Sequence, residues 1–306
     1  MPDPRVALVI PARNKAKHIG EALKSALAQT YRGLSIVVSD QGSTDGTMDA
    51  VKEILVGKQH KHHVVVYDCP DRTAYGLAGL NAHLRWIHRQ VEADIYLTLG
   101  ADDLNFPNRV ERVVEAFRIS GASYVGTHCL FTTPDNPMPG PGEMVQQTIW
   151  PKETGFVDPS RVISDRVGGS CSCAWKRELF EEFPLIDDVI PDVWLPYFAT
   201  CRDGLFVIAE PLACHVKHVD AGNAGLEGQL RAASTALEKQ ILEERIWCDI
   251  SRTLARMFHR ASQMDEKTWP QKAREGLYSG LIEHALGWAQ ARHKLDEMKR
   301  EERVAA

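Results

Sequence analysis

Short apolar runs alternate with helically spaced ones through the first 120 or so residues. Val6–Ile10, Leu34–Ser39, Val64–Tyr67 and Ile95–Leu99 are apolar segments of strand length. Between them the apolar positions change period. Ile19, Leu23, Ala26 and Leu27 line one face of a helix predicted over about residues 15–29, with Asn14 placed to cap it. Further helices are predicted near Met48–Val56, near Tyr75–Val91, and from Pro107 to about Ile119, where a first-turn proline loses no hydrogen bond. Strands that alternate with helices need crossover connections. They predict an α/β fold: a mainly parallel central sheet with helices on both faces. Ligands bind such sheets beyond the carboxyl ends of the strands.

The pattern loosens after that. Thr132–Gly142 holds Pro134, Pro137, Pro139 and Pro141 with Gly140 and Gly142, and reads as a surface loop, either a lid or a plain connector. A strand running into a short helix is predicted across Cys173–Phe180, a helix across Asp192–Cys201 and a strand across Leu205–Ala209. From about Leu226 strand signals stop. Two long amphipathic helices follow, near 227–260 and 270–302, parted around Trp269-Pro270. Their dispersed, mixed charges read as a solvated face. Packing on the core, pairing with a second copy and contact with a membrane surface all remain open for this extension. The expected division is 1–225 as one α/β domain, in halves 1–120 and 121–225, and 226–306 as a helical C-terminal extension.

At 306 residues the chain has room for one large domain and an appendage. No apolar run approaches the ~20 residues that span a bilayer. The start, Met1-Pro2-Asp3-Pro4-Arg5, lacks the basic and apolar regions of a signal peptide, so a cytoplasmic location is expected, with peripheral membrane contact left open. A net charge of -5 gives no broad electrostatic grip on nucleic acid. Seven scattered cysteines read as reduced thiols. Cys171-Ser172-Cys173 is the one close pair; with no second pair at zinc spacing, it reads as buried small side chains.

Candidate chemistry sits at two strand ends. Asp102 and Asp103 close the run Ile95–Leu99 and offer hard oxygen donors suited to Mg²⁺ or Mn²⁺, which in turn suit a diphosphate. Asn105 is available to cap the next helix, so neither acid is needed there, and adjacent carboxylates repel unless a cation offsets them. Asp40 closes the run Ile36–Ser39 and leads into Gly42-Ser43-Thr44-Asp45-Gly46-Thr47. Ser43, Thr44 and Asp45 can satisfy that turn, which leaves Asp40 for the N–H edge of a base such as uracil or guanine. His60, His62 and His63 read as an exposed loop before a strand.

Val9-Ile10-Pro11-Ala12-Arg13-Asn14, Ser39-Asp40-Gln41-Gly42-Ser43-Thr44-Asp45-Gly46-Thr47 and Gly100-Ala101-Asp102-Asp103 together resemble the nucleotide-sugar half of family 2 glycosyltransferases with a GT-A fold. The likeness is strong over about 5–120, loose over 165–220 and fades after about 225. It implies that Pro11, Ala12 and Asn14 line a nucleoside pocket and that Asp40 holds the base. Asp102 and Asp103 would then serve ribose, diphosphate and a divalent cation, Mn²⁺ or Mg²⁺. Arg72 matches a basic residue near the base in some relatives, or is an ordinary solvated arginine. Gly76, Gly79 and Asn81 resemble a small-residue turn before a helix, or serve packing alone.

The likeness further implies Asp192 as the catalytic base, with Asp187 or Asp188 as fallback. His218 is implied as a metal ligand or diphosphate contact, Lys217 as an offset for leaving-group charge, and His215 as structural. Three departures stand out: Gly100 and Gln41 each replace a frequent acid, and Pro191-Asp192 replaces the usual Glu-Asp. The implied activity is inverting transfer from a nucleotide-diphosphate sugar, UDP-linked by preference, to a glycan, lipid-linked or other hydroxyl acceptor. A catalytically degenerate binding module acting through its C-terminal helices, which also offer a homo-oligomer contact, is the alternative. A sugar-nucleotide pyrophosphorylase fits less well, because Pro11-Ala12-Arg13-Asn14-Lys15 lacks the glycines of a phosphate loop.

Overall fold

In the computed structural model, residues 3–57, 59–72, 76–140, 146–147, 151–159, 162, 171–187, 189 and 191–217 are described, with scattered positions from 240 to 297. The first half runs β1 (Val6–Ala12), α1 (Ile19–Leu27), β2 (Leu34–Asp40), α2 (Thr47–Leu55), β3 (His63–Asp68), α3 (Gly76–Gln90) and β4 (Ile95–Thr98). Next come β5 (Leu104–Asn105), α4 (Arg109–Ser120), β6 (Tyr124–Thr132), β7 (Gln146–Gln147) and β8 (Gly155–Phe156). β9 (Cys173–Lys176), α5 (Arg177–Glu182), α6 (Pro191–Thr200) and β10 (Leu205–Val216) complete the sheet and its covering helices.

The strands form one sheet in the order β3-β2-β1-β4-β9-β6-β10-β5, with β7 on β6 and β8 on β10. The longest ladders, β1–β2, β2–β3, β1–β4 and β6–β10, are parallel; the antiparallel pairings are short. The register places Ala12 beside Asp40 and Asp40 beside Asp68. Leu99 N–H continues the β4 ladder by donating to Val9 O at 2.9 Å. The carboxyl ends of β1, β2, β3 and β4 therefore share one edge, as the alternating pattern requires.

Alternation along each strand builds a core on both faces. Val6, Leu8 and Ile10 join Ile36, Val38, Ala22, Leu23, Val110 and Phe117 under α1, α2 and α4. Ala7, Val9, Val37 and Tyr96 join Leu84, Phe180, Trp194 and Phe198 under α3, α5 and α6. Leu254, Met257 and Leu277 are buried in that second cluster, and Arg256 Nη1 donates to Asp187 O at 2.7 Å. At its described positions the C-terminal segment is thus helical and packs on the domain. The Trp269-Pro270 break lies outside the described residues. Among the described residues, no helix is long and apolar enough to cross a membrane.

Several local expectations are corrected. Asn14 does not cap α1, which starts five residues later, flanked by His18. Asn14 instead takes a left-handed φ of 52° and bonds to the neighbouring loop. Asn105 does not cap α4 but pairs in β5, and Pro107 lies ahead of the helix. The cap comes from a distant residue, Gln29, whose Oε1 accepts from Val110 N–H at 3.0 Å. β6 went unpredicted because Gly126, Thr127 and His128 interrupt its apolar run. β10 outlasts its expected end because a register irregularity near Pro211 lets pairing resume. His62 is buried rather than exposed, its ring bonded to Gln29 O at 2.9 Å.

Two core histidines make stability depend on pH. His88 is stacked between Tyr96 (4.3 Å) and Phe180 (4.1 Å), and His83 bonds Ser39 Oγ at 2.7 Å. Burial lowers the pKa of each to about 4. The unfolded chain takes up these protons near the ordinary histidine pKa of about 6.5, whereas the folded chain resists until about pH 4. Their contribution is complete above pH 6.5 and is lost as pH falls toward 4, at up to ~1.4 kcal/mol per pH unit for each group. Urea unfolding at pH 7 and pH 5 should show this loss, and His88→Phe should halve it. Equal stability at the two pH values would contradict the assignment.

Candidate active site

Two loops at the carboxyl edge are bonded to each other backbone-to-side-chain. Asn14 N–H donates to Ser43 Oγ at 2.8 Å, and Thr44 N–H returns a bond to Asn14 Oδ1 at 2.9 Å. Lys15 N–H donates to Thr47 Oγ1 at 2.8 Å, and Ala16 N–H to Asp45 Oδ2 at 3.0 Å. The left-handed turn at Asn14 aims these donors at the β2–α2 loop, a conformation that asparagine tolerates better than most residues. Buried Asp40 lies within this lattice. Its Oδ2 accepts from Ser43 N–H at 3.0 Å and its Oδ1 from the Ser43 hydroxyl. The turn after β2 is therefore held by Asp40 itself, contrary to the expectation that Ser43, Thr44 and Asp45 would suffice.

Arg72 reaches the same edge. Its guanidinium pairs with Asp68 at 2.6 Å, and Arg13 Nη2 donates to its carbonyl at 3.1 Å. Its stem lies across Gly42, where an added Cβ would come within 2.9 Å of Arg72 Cγ. Pro11 and Ala12 flank the group from β1, opposite Ser39 and Asp40. Gly79 and Asn81 follow the packing reading. Gly79 O accepts from Gln41 Nε2 at 3.2 Å, and Asn81 Nδ2 donates to Ile186 O and Val189 O, both at 2.8 Å.

The acidic turn is set by a residue that sequence reading passed over. Arg109, fully buried at 0% exposure, donates from Nη1 to Thr98 O (2.9 Å) and Asn105 Oδ1 (2.8 Å), and from Nη2 to Cys173 O (3.1 Å). One guanidinium thus ties the end of β4, β5 and the start of β9 together. Burial lowers its pKa. A signal for it existed: Arg109 shares a helix face with Val113 and Ala116, both buried, so a charge stood on an apolar stripe.

Within that turn the two carboxylates face different partners. Asp102, half-buried, forms an ion pair with Lys15. Asp103, its side chain 3% exposed, accepts from His215 Nδ1 at 3.0 Å and Val216 N–H at 3.2 Å. Gly100 makes this fold-back feasible, since a Cβ there would overlap Asp103 Oδ2 and come within 3.4 Å of Asp102 Oδ1. Asp103 Oδ2 fills the place that a side chain would take, with Asp102 Oδ1 beside it. The hydrogen bond to Asp103, followed by one to Cys171, raises the His215 pKa to about 10, so the ring is cationic at neutral pH. His215 thus meets the acidic turn directly.

A divalent ion has a donor set available here. Asp103, Cys171 and His215 present ligand atoms all within 4.8 Å of one another. Asp102, bonded to Lys15, is not part of that trio, although its Oδ1 and Asp103 Oδ2 lie beside the same point at Gly100. His218 lies outside the described residues, as does Asp188.

Asp192 occupies the first turn of α6, half-buried. Burial above all raises the pKa values of Tyr124 and Cys173, and the charge of Asp192 adds to the rise in both. Asp187, the fallback, is committed to Arg85 at 2.7 Å and is largely exposed.

The family model for Glycosyl transferase family 2 matches residues 7–183, more than half of the chain. The chain belongs to that family. It is 23% identical over 245 residues to an uncharacterized glycosyltransferase of Nostoc sp., covering 77% of this chain and 70% of that one. It is 31% identical over 118 residues to hyaluronan synthase of Streptococcus pyogenes, covering 38% of this chain but 27% of the synthase. The match to an uncharacterized glycosyltransferase of Rickettsia bellii, 30% over 112 residues, takes in 36% of this chain and only 15% of that protein's length. In fold it resembles TarS 1-349 of S. aureus, solved with UDP-GlcNAc, with a TM-score of 0.54 at 16% identity over 94% of this chain and 81% of that one. The mostly parallel sheet is accordingly of the GT-A type.

Removing the Arg109 guanidinium strands three buried acceptors. Each unmade bond costs ~1–3 kcal/mol, so Arg109→Met should lower unfolding free energy by about 3–5 kcal/mol in urea titrations. A loss below ~1 kcal/mol would show that the turn does not depend on this residue.

Proposed function

We propose that this glycosyltransferase moves a sugar from a nucleotide-diphosphate sugar, UDP-linked by preference, to an acceptor hydroxyl with inversion. The observation that carries the reading is the meeting of Asp40, Lys15–Asp102 and Asp103–His215 at one carboxyl edge of a GT-A sheet. In this reading Pro11, Ala12 and Asn14 border the nucleoside, Asp40 meets its base and Arg72 flanks it. Asp102 faces the ribose and diphosphate. The UDP-GlcNAc bound by TarS favours a uridine donor through likeness of fold alone.

Asp192 takes the acceptor proton as the hydroxyl attacks the anomeric carbon from the face opposite the departing nucleotide. A base within hydrogen-bond reach contributes ~10²–10⁴ in rate. Negative charge grows on the departing diphosphate, and Lys15 and His215, paired with the acidic turn, would offset it, with Lys217 two residues beyond. A divalent cation, Mn²⁺ or Mg²⁺, held by Asp102 and Asp103 with His218 as a further ligand, would supply additional electrostatic stabilisation of that charge. The donor set fits an ion in kind, since oxygens of both acids lie beside the same point at Gly100. Residues 1–225 form the transferase domain in this reading and 226–306 a helical extension. The acceptor is a glycan, a lipid-linked sugar or another hydroxyl compound. No disulfide joins the six described cysteines, which favours a reducing, cytoplasmic setting.

A binding module without catalysis is the second reading. It is favoured by the ion pairs that already engage Asp102 and Asp103 internally. Two variants separate the readings. Asp192→Asn should bind UDP-sugar with Mn²⁺ within about twofold of wild type while transfer falls by ~10²-fold or more. Asp102→Asn should lose both. Calorimetry and a transfer assay on each variant would check this; transfer by Asp192→Asn at the wild-type rate would move the base elsewhere, and binding without transfer in the wild type would favour the module.

A further inference from the structure

Asp103, Cys171 and His215 come from three separate segments, namely the turn after β4, the approach to β9 and β10. Their donor atoms nonetheless lie within 4.8 Å of one another. The set is one carboxylate oxygen, one sulfur and one imidazole nitrogen. Mg²⁺ asks for near-octahedral oxygen ligands, and Mn²⁺ also prefers oxygen, so neither matches a thiol at this position. Zn²⁺ accepts S, N and O together in tetrahedral sites, with bonds of ~2.0–2.3 Å and ligand separations of about 3.3–3.7 Å. Asp103 Oδ1 and His215 Nδ1 stand 3.0 Å apart, already close to that spacing.

We infer that Asp103, Cys171 and His215 form a Zn²⁺ site that shares only Asp103 with the cation site proposed for the donor diphosphate, and so competes with it. The supporting groups are in place. Val216 N–H and the absent side chain at Gly100 fix the Asp103 carboxylate, and Phe131 holds the His215 ring edge-on at 5.9 Å. Cys129, on β6, hydrogen-bonds the Cys171 thiol. The His215 side chain is 42% exposed, which gives an ion a path from solvent to two buried partners. Zn²⁺ here replaces the protons on Cys171 and His215 and releases them to solvent. It also cross-links β10 to the acidic turn and withdraws Asp103 from any shared role with Asp102. Zn²⁺ therefore opposes Mn²⁺-supported donor binding.

The test uses the full chain, stripped of metal by chelator and dialysed against Zn²⁺, Mn²⁺ or Co²⁺. One equivalent of Zn²⁺ should bind at least ~10²-fold more tightly than Mn²⁺. Co²⁺ in its place should show sulfur-to-cobalt charge-transfer absorption. Cys171→Ser should abolish that absorption and weaken Zn²⁺ by ~10–100-fold, while Asp102→Asn should keep both. Where Cys171→Ser does not fold, alkylation of the wild type decides: Zn²⁺ should slow modification of Cys171 and leave Cys201 unchanged. Co²⁺ absorption without a thiolate band, equal affinity for Zn²⁺ and Mn²⁺, or equal alkylation of Cys171 with and without Zn²⁺ would overturn the site. The transferase reading fails only with donor binding or transfer in the metal-stripped chain supplied with Mn²⁺, and the Zn²⁺ site only with the metal and alkylation measurements, so the two outcomes are separable.

Discussion

A single buried guanidinium governs the geometry of the acidic turn. Arg109 has no solvent to pay its desolvation cost and meets it with three oxygen acceptors from three strands. Only arginine offers a rigid fork wide enough to reach Thr98 O, Asn105 Oδ1 and Cys173 O at once. Because those acceptors bracket residues 99–104, the position of Asp102 and Asp103 follows from that of Arg109. Gln29 secures the same helix from the other side, bonding Val110 N–H and Phe106 O. The acidic turn is therefore fixed by the core beneath it.

The opposite side of the site is built differently. Loops 12–16 and 40–47 are held by bonds between backbone donors and short polar side chains, most of them exposed or half-buried. Such bonds contribute ~1 kcal/mol each and open more readily than a buried network. One wall of the site is thus rigid and the other can adjust. Lys15 joins them, its backbone bonded to the β2–α2 loop and its ammonium to Asp102. A ligand that displaced Lys15 from Asp102 would be felt in both walls.

The α/β alternation and the shared strand edge were legible in the sequence, because Asp40 and Asp102 each terminate an apolar run and the period changes between runs. Gly79 and Asn81 lie within α3 rather than in a turn before it, and the bonds of Asn81 to the 186–189 segment left no local sign. What escaped was contact across long separations. Gln29 caps a helix 81 residues away, and His215 meets an aspartate 112 residues away. Asn14 and Asn105 were assigned to the nearest helix for want of any sign of these remote partners. Asp40 looked dispensable to its turn because Ser43 is a competent turn residue, yet Ser43 serves there as donor to Asp40. Polar residues that bond far from their own segment leave little trace in local spacing.

The central claim is that three loop segments at one sheet edge act together on a nucleotide sugar. Hydrogen exchange followed by mass spectrometry, with and without UDP and Mn²⁺, tests it most directly. The account predicts joint protection of segments 11–16, 40–47 and 99–104, with the flexible first two gaining more than the turn held by Arg109. Protection confined to other segments, or none at saturating UDP, would contradict it.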